Sequence, residues 1–392
     1  MIKFYSFNLI IFLTISFLFT IFCQSTFKSK PHVSSEESER LNSIEGIARF
    51  KNKEYIKYSI TNGINLKKLK EALKILERNT CLRFKFSSRL RPWNFGLHFL
   101  GYMAIRYPNN VPGENELQNV FISNRTSNNI GYLLQQTLLS MGFIPQHQRP
   151  DRDSYIKFVE MDAEYRILLE DKYLDKYDAN DVNIYDTSYD YGSITEFATN
   201  YFSEITSSVM EARKNPIYNR MMGQQYGLSF NDVKLINLAI CSDKCPGKKL
   251  NCKNNGYLDP LSCEKCRCPN GFDGVTCERV AVTKTHCGET NLLATKDPAE
   301  LKRKGPGVCN YLITSKKGYK IIIQIVKVEI KRLPRCFEKK GLEIKYRTDF
   351  GATGLCICDK YTNFNLTSET NQVLIQYNGD KKDYFKILYS AI

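Results

Sequence analysis

Apolar positions recur with a clear period in several stretches of the chain. Leu66, Leu69, Leu73 and Leu76 stand at helical spacing among lysines and glutamates. That spacing predicts an amphipathic helix over residues 65–80 with the leucines turned to a core. Just before it, residues 55–60 (YIKYSI) read as an opening strand that Asn62-Gly63 ends. Near the C-terminus, residues 319–330 and 372–377 alternate apolar and polar positions and predict strands of an all-β region. Residues 4–22 form one long apolar run with scattered Ser, Asn and Thr, preceded by Lys3. This has the form of an export signal over residues 1–23, cut near Cys23 or Ser25. An uncleaved membrane anchor is the alternative.

At 392 residues the chain is too long for one ordinary core, so two or three domains are expected. Its 42% hydrophobic and 25% charged residues place it with globular rather than disordered chains. Residues 24–45 are short, polar and serine-rich, and read as a flexible propeptide. The 14 cysteines suit the oxidising compartment that an export signal implies. Asn124 and Asn365 each open an N-x-S/T sequon and are candidate glycan sites there.

The net charge of +15 fits either an acidic partner, such as a sulfated polysaccharide or an anionic membrane, or a lysine-rich solvated surface. Residues 287–392 hold 19 Lys and Arg against 11 Asp and Glu, a net of +8. Binding through that region is expected to weaken steeply with salt. No nucleic-acid motif accompanies the charge, and no transmembrane helix is expected once the signal is removed.

Cys245, Cys252, Cys263, Cys266, Cys268 and Cys277 fall within 33 residues and end in CRCPNGFDGVTC. The spacing resembles an EGF-like module, here residues 242–278. A zinc knuckle at Cys263-x-x-Cys266 is the alternative, and an exported chain favours disulfides. The resemblance implies the pairs Cys245–Cys263, Cys252–Cys266 and Cys268–Cys277. From Cys287 onward, Cys287-Gly288, Cys309, Leu342-Glu343-Ile344 and Gly354-Leu-Cys356 resemble a CUB domain, a β-sandwich, over residues 287–392. It implies Cys287–Cys309 and Cys336–Cys356, with Cys358 competing with Cys356 and left as the odd thiol.

Residues 130–155 (IGYLLQQTLLSMGFIPQHQRPDRDSY) are the most informative stretch. Gly142-Phe143 followed by Arg149-Pro150-Asp151-Arg152-Asp153 resembles the G-F-x-H-E-x-x-R-x-D-R-D pattern of the astacin family of secreted metalloendopeptidases. Farther on, Tyr189-Asp-Tyr-Gly-Ser-Ile194 resembles the run into that family's methionine turn, S-I-M-H-Y. Thr80-Cys81-Leu-Arg-Phe84 resembles its T-C-I-R-F strand, which implies a Cys81–Cys241 bridge. The second family disulfide maps onto Tyr102 and Ser127, so both partners are absent together.

The resemblance implies an α+β chain of nematode-type architecture. A metzincin-like domain of twisted sheet and active-site helix over residues 46–241 precedes the EGF-like module and the CUB-like sandwich. It also implies a zinc site whose residues are gone. Metzincins place two histidines at i and i+4 of a helix and a third past a glycine, so that three imidazoles hold one zinc. Aligned on Gly142, the ligand positions hold Gln135, Leu139 and Pro145, and the general-base position holds Gln136. Thr195 stands for the turn methionine, Phe197 for the tyrosine that serves the metal and the oxyanion, and Gln146 for the glutamate that anchors the mature N-terminus. No Asp occurs in residues 24–45 to act as the family's propeptide latch.

The expected protein is therefore a secreted, catalytically inactive homologue without zinc or other cofactor. It would bind an extracellular protein or an acidic polysaccharide. An active enzyme with a non-standard metal site is the alternative, and a decaying gene copy without a role is a third. Of the four histidines, His32 and His286 fall outside the domain, and His98 and His147 read as surface loop residues.

Overall fold

The computed structural model describes residues 43–102, 116–159, 174–201 and 208–392. The export signal and most of the proposed propeptide lie outside these. Among the described residues no helix is long and apolar enough to cross a membrane.

The N-terminal lobe is a sheet backed by helices. After α1 (Ser43–Ala48), strands β1 (Ile56–Ile60), β2 (Phe84–Phe86), β3 (Gly96–Tyr102) and β4 (Leu117–Ser123) pair in parallel in the order β2-β1-β3-β4. Helix α2 (Leu66–Asn79) begins where the Asn65 side chain accepts from the Lys68 amide, and it buries Leu69, Ala72, Leu73 and Leu76. The leucine spacing forces this outcome, because one stripe is apolar and the opposite one is charged. Helix α3 (Ile130–Ser140) is different: from Gly131 onward every residue is buried. It runs through the lobe and ends at Gly142, whose φ of +96° turns the chain out. A Cβ there would also meet the Gly46 carbonyl carbon at 3.1 Å, so glycine is required twice over.

Two short strands follow, β5 (Ile156–Phe158) and β6 (Met210–Ala212). Helix α4 (Phe230–Ile240) opens with a capping box between Ser229 and Asp232. Its C-cap, Cys241, is bridged to Cys81.

The small module holds two hairpins, β7–β8 (Tyr257–Leu258, Cys266–Arg267) and β9–β10 (Phe272–Asp273, Arg279–Val280). The bridges Cys245–Cys263, Cys252–Cys266 and Cys268–Cys277 hold it together. So small a unit buries too little apolar surface to fold without them.

The C-terminal region is a two-sheet sandwich. β11 (Asn291–Leu293), β13 (Gly307–Thr314), β18 (Gln372–Gly379), β15 (Gly341–Lys345) and β16 (Leu355–Ile357) form one sheet in that spatial order. β12 (Ala299–Lys304), β19 (Tyr384–Ala391), β14 (Ile321–Glu329) and β17 (Lys360–Thr367) form the other. Burial alternates residue by residue along β19, as one wetted face demands. In β15 all five residues are buried, including Glu343 and Lys345.

That strand faces the rest of the molecule. The Lys345 ammonium donates to the carbonyls of Phe350 and Ala352, both at 2.9 Å, and lies 3.3 Å from Glu343. The loop so fixed reaches the N-terminal half. Arg347 donates to the Tyr189 carbonyl at 2.8 Å, and Asp349 accepts from the Ser188 amide and the Asn231 side chain, each at 2.9 Å. The Thr353 amide donates to Asp190 at 3.1 Å. One continuous apolar cluster joins Tyr189, Tyr191, Tyr218 and Met221 to the sandwich interior.

One disulfide corrects the sequence reading. Cys336 is bridged to Cys358, and among the described residues Cys356 is the free, buried thiol. Cys356 lies within β16 opposite Glu343, and its amide points to the Met221 sulfur at 3.3 Å. Cys358 lies just beyond the strand end, with its Cα 5.4 Å from that of Cys336, inside the range a disulfide spans. Burial and the nearby Glu343 push the Cys356 thiol well above its ordinary pKa. Native protein is therefore expected to resist alkylation at Cys356 and to take up one label there after denaturation. Non-reducing peptide mapping checks both points, and a Cys336–Cys356 peptide would reverse the assignment.

Candidate functional site

The residues that the motif pattern places at a metal site do come together, beneath α3 and the turn at residues 193–197. Gln135 and Leu139, one helical turn apart, face the same way. The Gln135 amide donates to the Ile194 carbonyl at 2.9 Å, which commits it to holding the turn. Leu139 packs into the aromatic cluster with Phe197. Pro145 is buried and opens the short 3₁₀ turn Gln146–Gln148. Gln136 is fully buried, and neither its amide oxygen nor its nitrogen has a hydrogen-bond partner.

These groups do not fit a divalent zinc ion. Leu139 has no lone pair, Pro145 has no side-chain donor, and Gln135 offers only a neutral amide oxygen, its nitrogen being held by the Ile194 carbonyl. A zinc site takes thiolate, imidazole or carboxylate donors, and three of them for catalysis. An uncharged Gln136 has no proton-accepting capacity to match a carboxylate.

Where the family pattern calls for polar chemistry, this chain has packed rings. His147 is 1% exposed, not a surface loop residue, and its ring lies 4.6 Å from that of Phe197. Phe197 in turn lies 4.3 Å from Tyr201. His98 also departs from the loop expectation: it sits on β3 with Nδ1 2.7 Å from the Ser59 hydroxyl. Nothing local to either histidine signals its placement, since both depend on what the strands and the turn bring alongside.

Arg149 grips Asp151 through two bonds of 2.8 and 2.9 Å and donates to the Thr187 carbonyl at 2.8 Å. Arg152 donates to the carbonyls of His147 and Leu174. The Arg-Pro-Asp-Arg-Asp motif is thus a brace that ties the segment after α3 to residues 174–187. Gln146 accepts from the Asp190 amide at 3.1 Å and shares a small cavity with Thr195, Asn231 and Asp232.

Buried carboxyls lie under the turn, and sequence reasoning missed them as a group. Glu196, at the position of the family's turn histidine, is fully buried and accepts from the Tyr189 hydroxyl at 2.6 Å. Burial, reinforced by the charge of Asp190, raises its pKa well above the usual carboxylate range. Asp232 accepts from the Ser193 hydroxyl and from the amides of Ile194 and Ser229, and burial pushes it up to about 6.

The sign follows from the direction of both shifts. A carboxyl whose pKa is raised by folding favours the native state below its ordinary pKa, and that advantage is lost as pH climbs through the folded value. For Asp232 the loss spans ordinary carboxylate pH to about 6 and is worth ~3 kcal/mol. Thermal stability is therefore expected to fall from about pH 4 to pH 6 as Asp232 titrates, and further at higher pH as Glu196 does. Glu196→Gln, which keeps an acceptor for Tyr189, should flatten that slope and raise Tm at pH 8. Melting curves of both proteins across the range check this; parallel slopes would show that Glu196 does not titrate with unfolding.

Known proteins resemble this chain in sequence and, more loosely, in structure. Residues 44–241 match the sequence profile described as Astacin, a peptidase family. The zinc metalloproteinase nas-34 of Caenorhabditis elegans is 31% identical over 253 residues, 64% of this chain and 40% of that protein. The zinc metalloproteinase nas-36 of Brugia malayi is 29% identical over 342 residues, 83% of this chain and 56% of that protein. The chain thus spans well under two thirds of the length of these relatives. Among solved structures, high choriolytic enzyme 1, a hatching enzyme zinc-protease from Oryzias latipes, aligns with a TM-score of 0.39 and 22% identity. That alignment covers 47% of this chain and 88% of the enzyme.

Proposed function

The chain belongs to the astacin peptidase family, and from that membership we propose that it is a secreted member that binds instead of cutting. The observation that carries this reading is the refilled site. Gln135, Leu139 and Pro145 offer no zinc-binding set, Gln136 offers no base, and Phe197 offers no hydroxyl. The brace around the site and the Cys81–Cys241 bridge are present, so the frame serves as a scaffold. Loss of the glutamate at position 146 fits the same reading, since no carboxylate stands there to receive a processed N-terminus.

Export rests on the apolar run of residues 4–22 and on the six bridges. Both sequon asparagines, Asn124 and Asn365, are exposed, and Asn365 lies on β17, an open sheet edge. A glycan there would shield the edge from pairing. The partner class is an extracellular protein or an acidic polysaccharide.

A second reading, an active endopeptidase with a non-standard metal site, is favoured by the names of the relatives, which are zinc metalloproteinases. Metal analysis of the purified protein beside a peptide-library digest with a chelator control separates the two. The binding reading expects no stoichiometric zinc and no cleavage. One zinc per chain with chelator-sensitive cleavage would establish the second.

A further inference from the structure

The positive charge is not concentrated in the sandwich alone. Residues 46–102 hold 13 Lys and Arg against 3 Asp and Glu, a net of +10 in 57 residues. The fold arranges much of it in a line. Lys67, Lys70, Lys74 and Arg78 are all exposed and recur at i+3 and i+4 along the outer face of α2. Neighbours at that spacing stand about 5–6 Å apart, so the row extends ~16 Å along the helix.

The three acids of this stretch neutralise the row only in part, Glu71 lying within electrostatic reach of Lys67. Glu71 is held by Lys68 at 2.8 Å, and Glu77 accepts from the Phe84 amide at 2.9 Å. Glu54 lies outside the helix. The sandwich contrasts with this. Lys302 and Lys386 share Glu300 at 2.7 and 2.6 Å, Lys327 pairs with Glu329 at 3.1 Å, and Lys345 is buried beside Glu343.

One exposed ring borders the row, and two others lie elsewhere on the lobe. Phe86 on the edge strand β2 is 40% exposed, with the Lys70 ammonium 5.9 Å from its ring. Tyr55 is 47% exposed beside Lys85, and Trp93, the sole tryptophan, is 66% exposed beside Arg91. The rings are spread over strand, edge and loop instead of forming one apolar face. The apolar stripe of α2 is itself buried in the lobe, so this helix has nothing to insert into a bilayer.

We propose that the outer face of α2, with edge strand β2, binds a linear sulfated polysaccharide. A rigid row of cations at near-regular spacing complements anionic groups repeated along an extended polymer, and the flanking Phe86 ring stacks on a sugar ring. This narrows the partner class of the binding reading to one polymer chemistry. The surface is separate from the refilled site, and its occupancy does not depend on whether the chain hydrolyses peptides, so metal and cleavage assays can fail without touching it.

The test uses the full chain and immobilised heparin as the probe, with retention measured against salt. The triple change Lys67→Gln, Lys70→Gln, Lys74→Gln is expected to lower the log–log salt slope by roughly three, one per cation removed, and to weaken retention at physiological salt about tenfold or more. Glutamine nearly matches lysine in helix propensity, so α2 is expected to persist, as circular dichroism will show. The set Lys302→Gln, Lys327→Gln, Lys386→Gln in the sandwich should change retention little. In the unaltered protein, heparin should protect Lys67, Lys70 and Lys74 from amine acylation. Equal retention of the α2 variant, equal loss in the sandwich variant or no protection would each overturn the proposal. So would retention on desulfated heparin, or binding to phosphatidylserine vesicles without binding to heparin.

Discussion

Restoring the four family residues is expected to bring zinc to this protein without bringing hydrolysis. The variant is Gln135→His, Gln136→Glu, Leu139→His, Pro145→His. Gln135 and Leu139 already sit one turn apart on a rigid, wholly buried helix, so two imidazoles there would be placed for a common ion. Metal content should therefore rise from near zero toward one per chain. Three obstacles to turnover remain. Phe197 has no hydroxyl to stabilise a developing oxyanion, a deficit on the order of 10²–10³ in rate where such donors have been deleted. The His147, Phe197 and Tyr201 rings pack at tilted angles around the position of that missing hydroxyl. Leu139 belongs to a packed apolar cluster, and a histidine left there without metal costs ~1–3 kcal/mol for its unsatisfied nitrogens. The variant should thus be less stable than its parent until zinc is added. Elemental analysis, melting with and without zinc, and a peptide-library digest measure the three outcomes. Gln136→Glu alone should change none of them. Efficient cleavage by the fourfold variant would mean that the frame still holds a working cleft, and cleavage by the unaltered protein would refute the binding reading outright.

Removing the sandwich, by ending the chain after Cys277, is expected to abolish cooperative folding of what remains. Tyr191, Tyr218 and Met221 are completely buried and share one cluster with the sandwich interior. Uncovering such side chains costs about 1.5–3 kcal/mol each, against a total stability of only about 5–15 kcal/mol. Polar losses add to this. Arg347, Asp349 and the Thr353 amide would no longer serve Tyr189, Ser188, Asn231 and Asp190. Those residues flank the turn at residues 193–197, so the refilled site would lose its support as well. The readouts are secreted yield, sharpness of the melting transition and exposure to dye. A truncated protein that is exported at the full-length yield and melts as sharply would show that the N-terminal half folds independently.

The sequence by itself determined the elements and their family. The leucine period of residues 65–80 gives a helix because only that spacing puts four leucines on one face. The alternation of residues 319–330 gives a strand because one face of its sheet is wet, whereas residues 372–377 form a strand buried on both faces. The cysteine spacing of residues 245–277 marks the small module, and residue chemistry alone shows that Gln135, Leu139 and Pro145 include no imidazole, thiolate or carboxylate. Gly142 was legible too, since a helix that must turn back needs a left-handed position.

Tertiary structure decided what those residues touch. Cys336 takes Cys358 because the register of β16 against β15 commits Cys356 to the buried interface, and no count of cysteines reveals register. His147 is buried because the turn carrying Phe197 folds over it. The Glu196 carboxyl owes its raised pKa to burial and to Asp190, reached through the same turn. Lys302, Lys327 and Lys386 of the sandwich are paired because Glu300 and Glu329 stand beside them on the same or the neighbouring strand, while the row on α2 faces water with few acids near. Side-chain period is a local property and survives in sequence; burial, register and charge neutralisation are set by chain segments that meet only after folding.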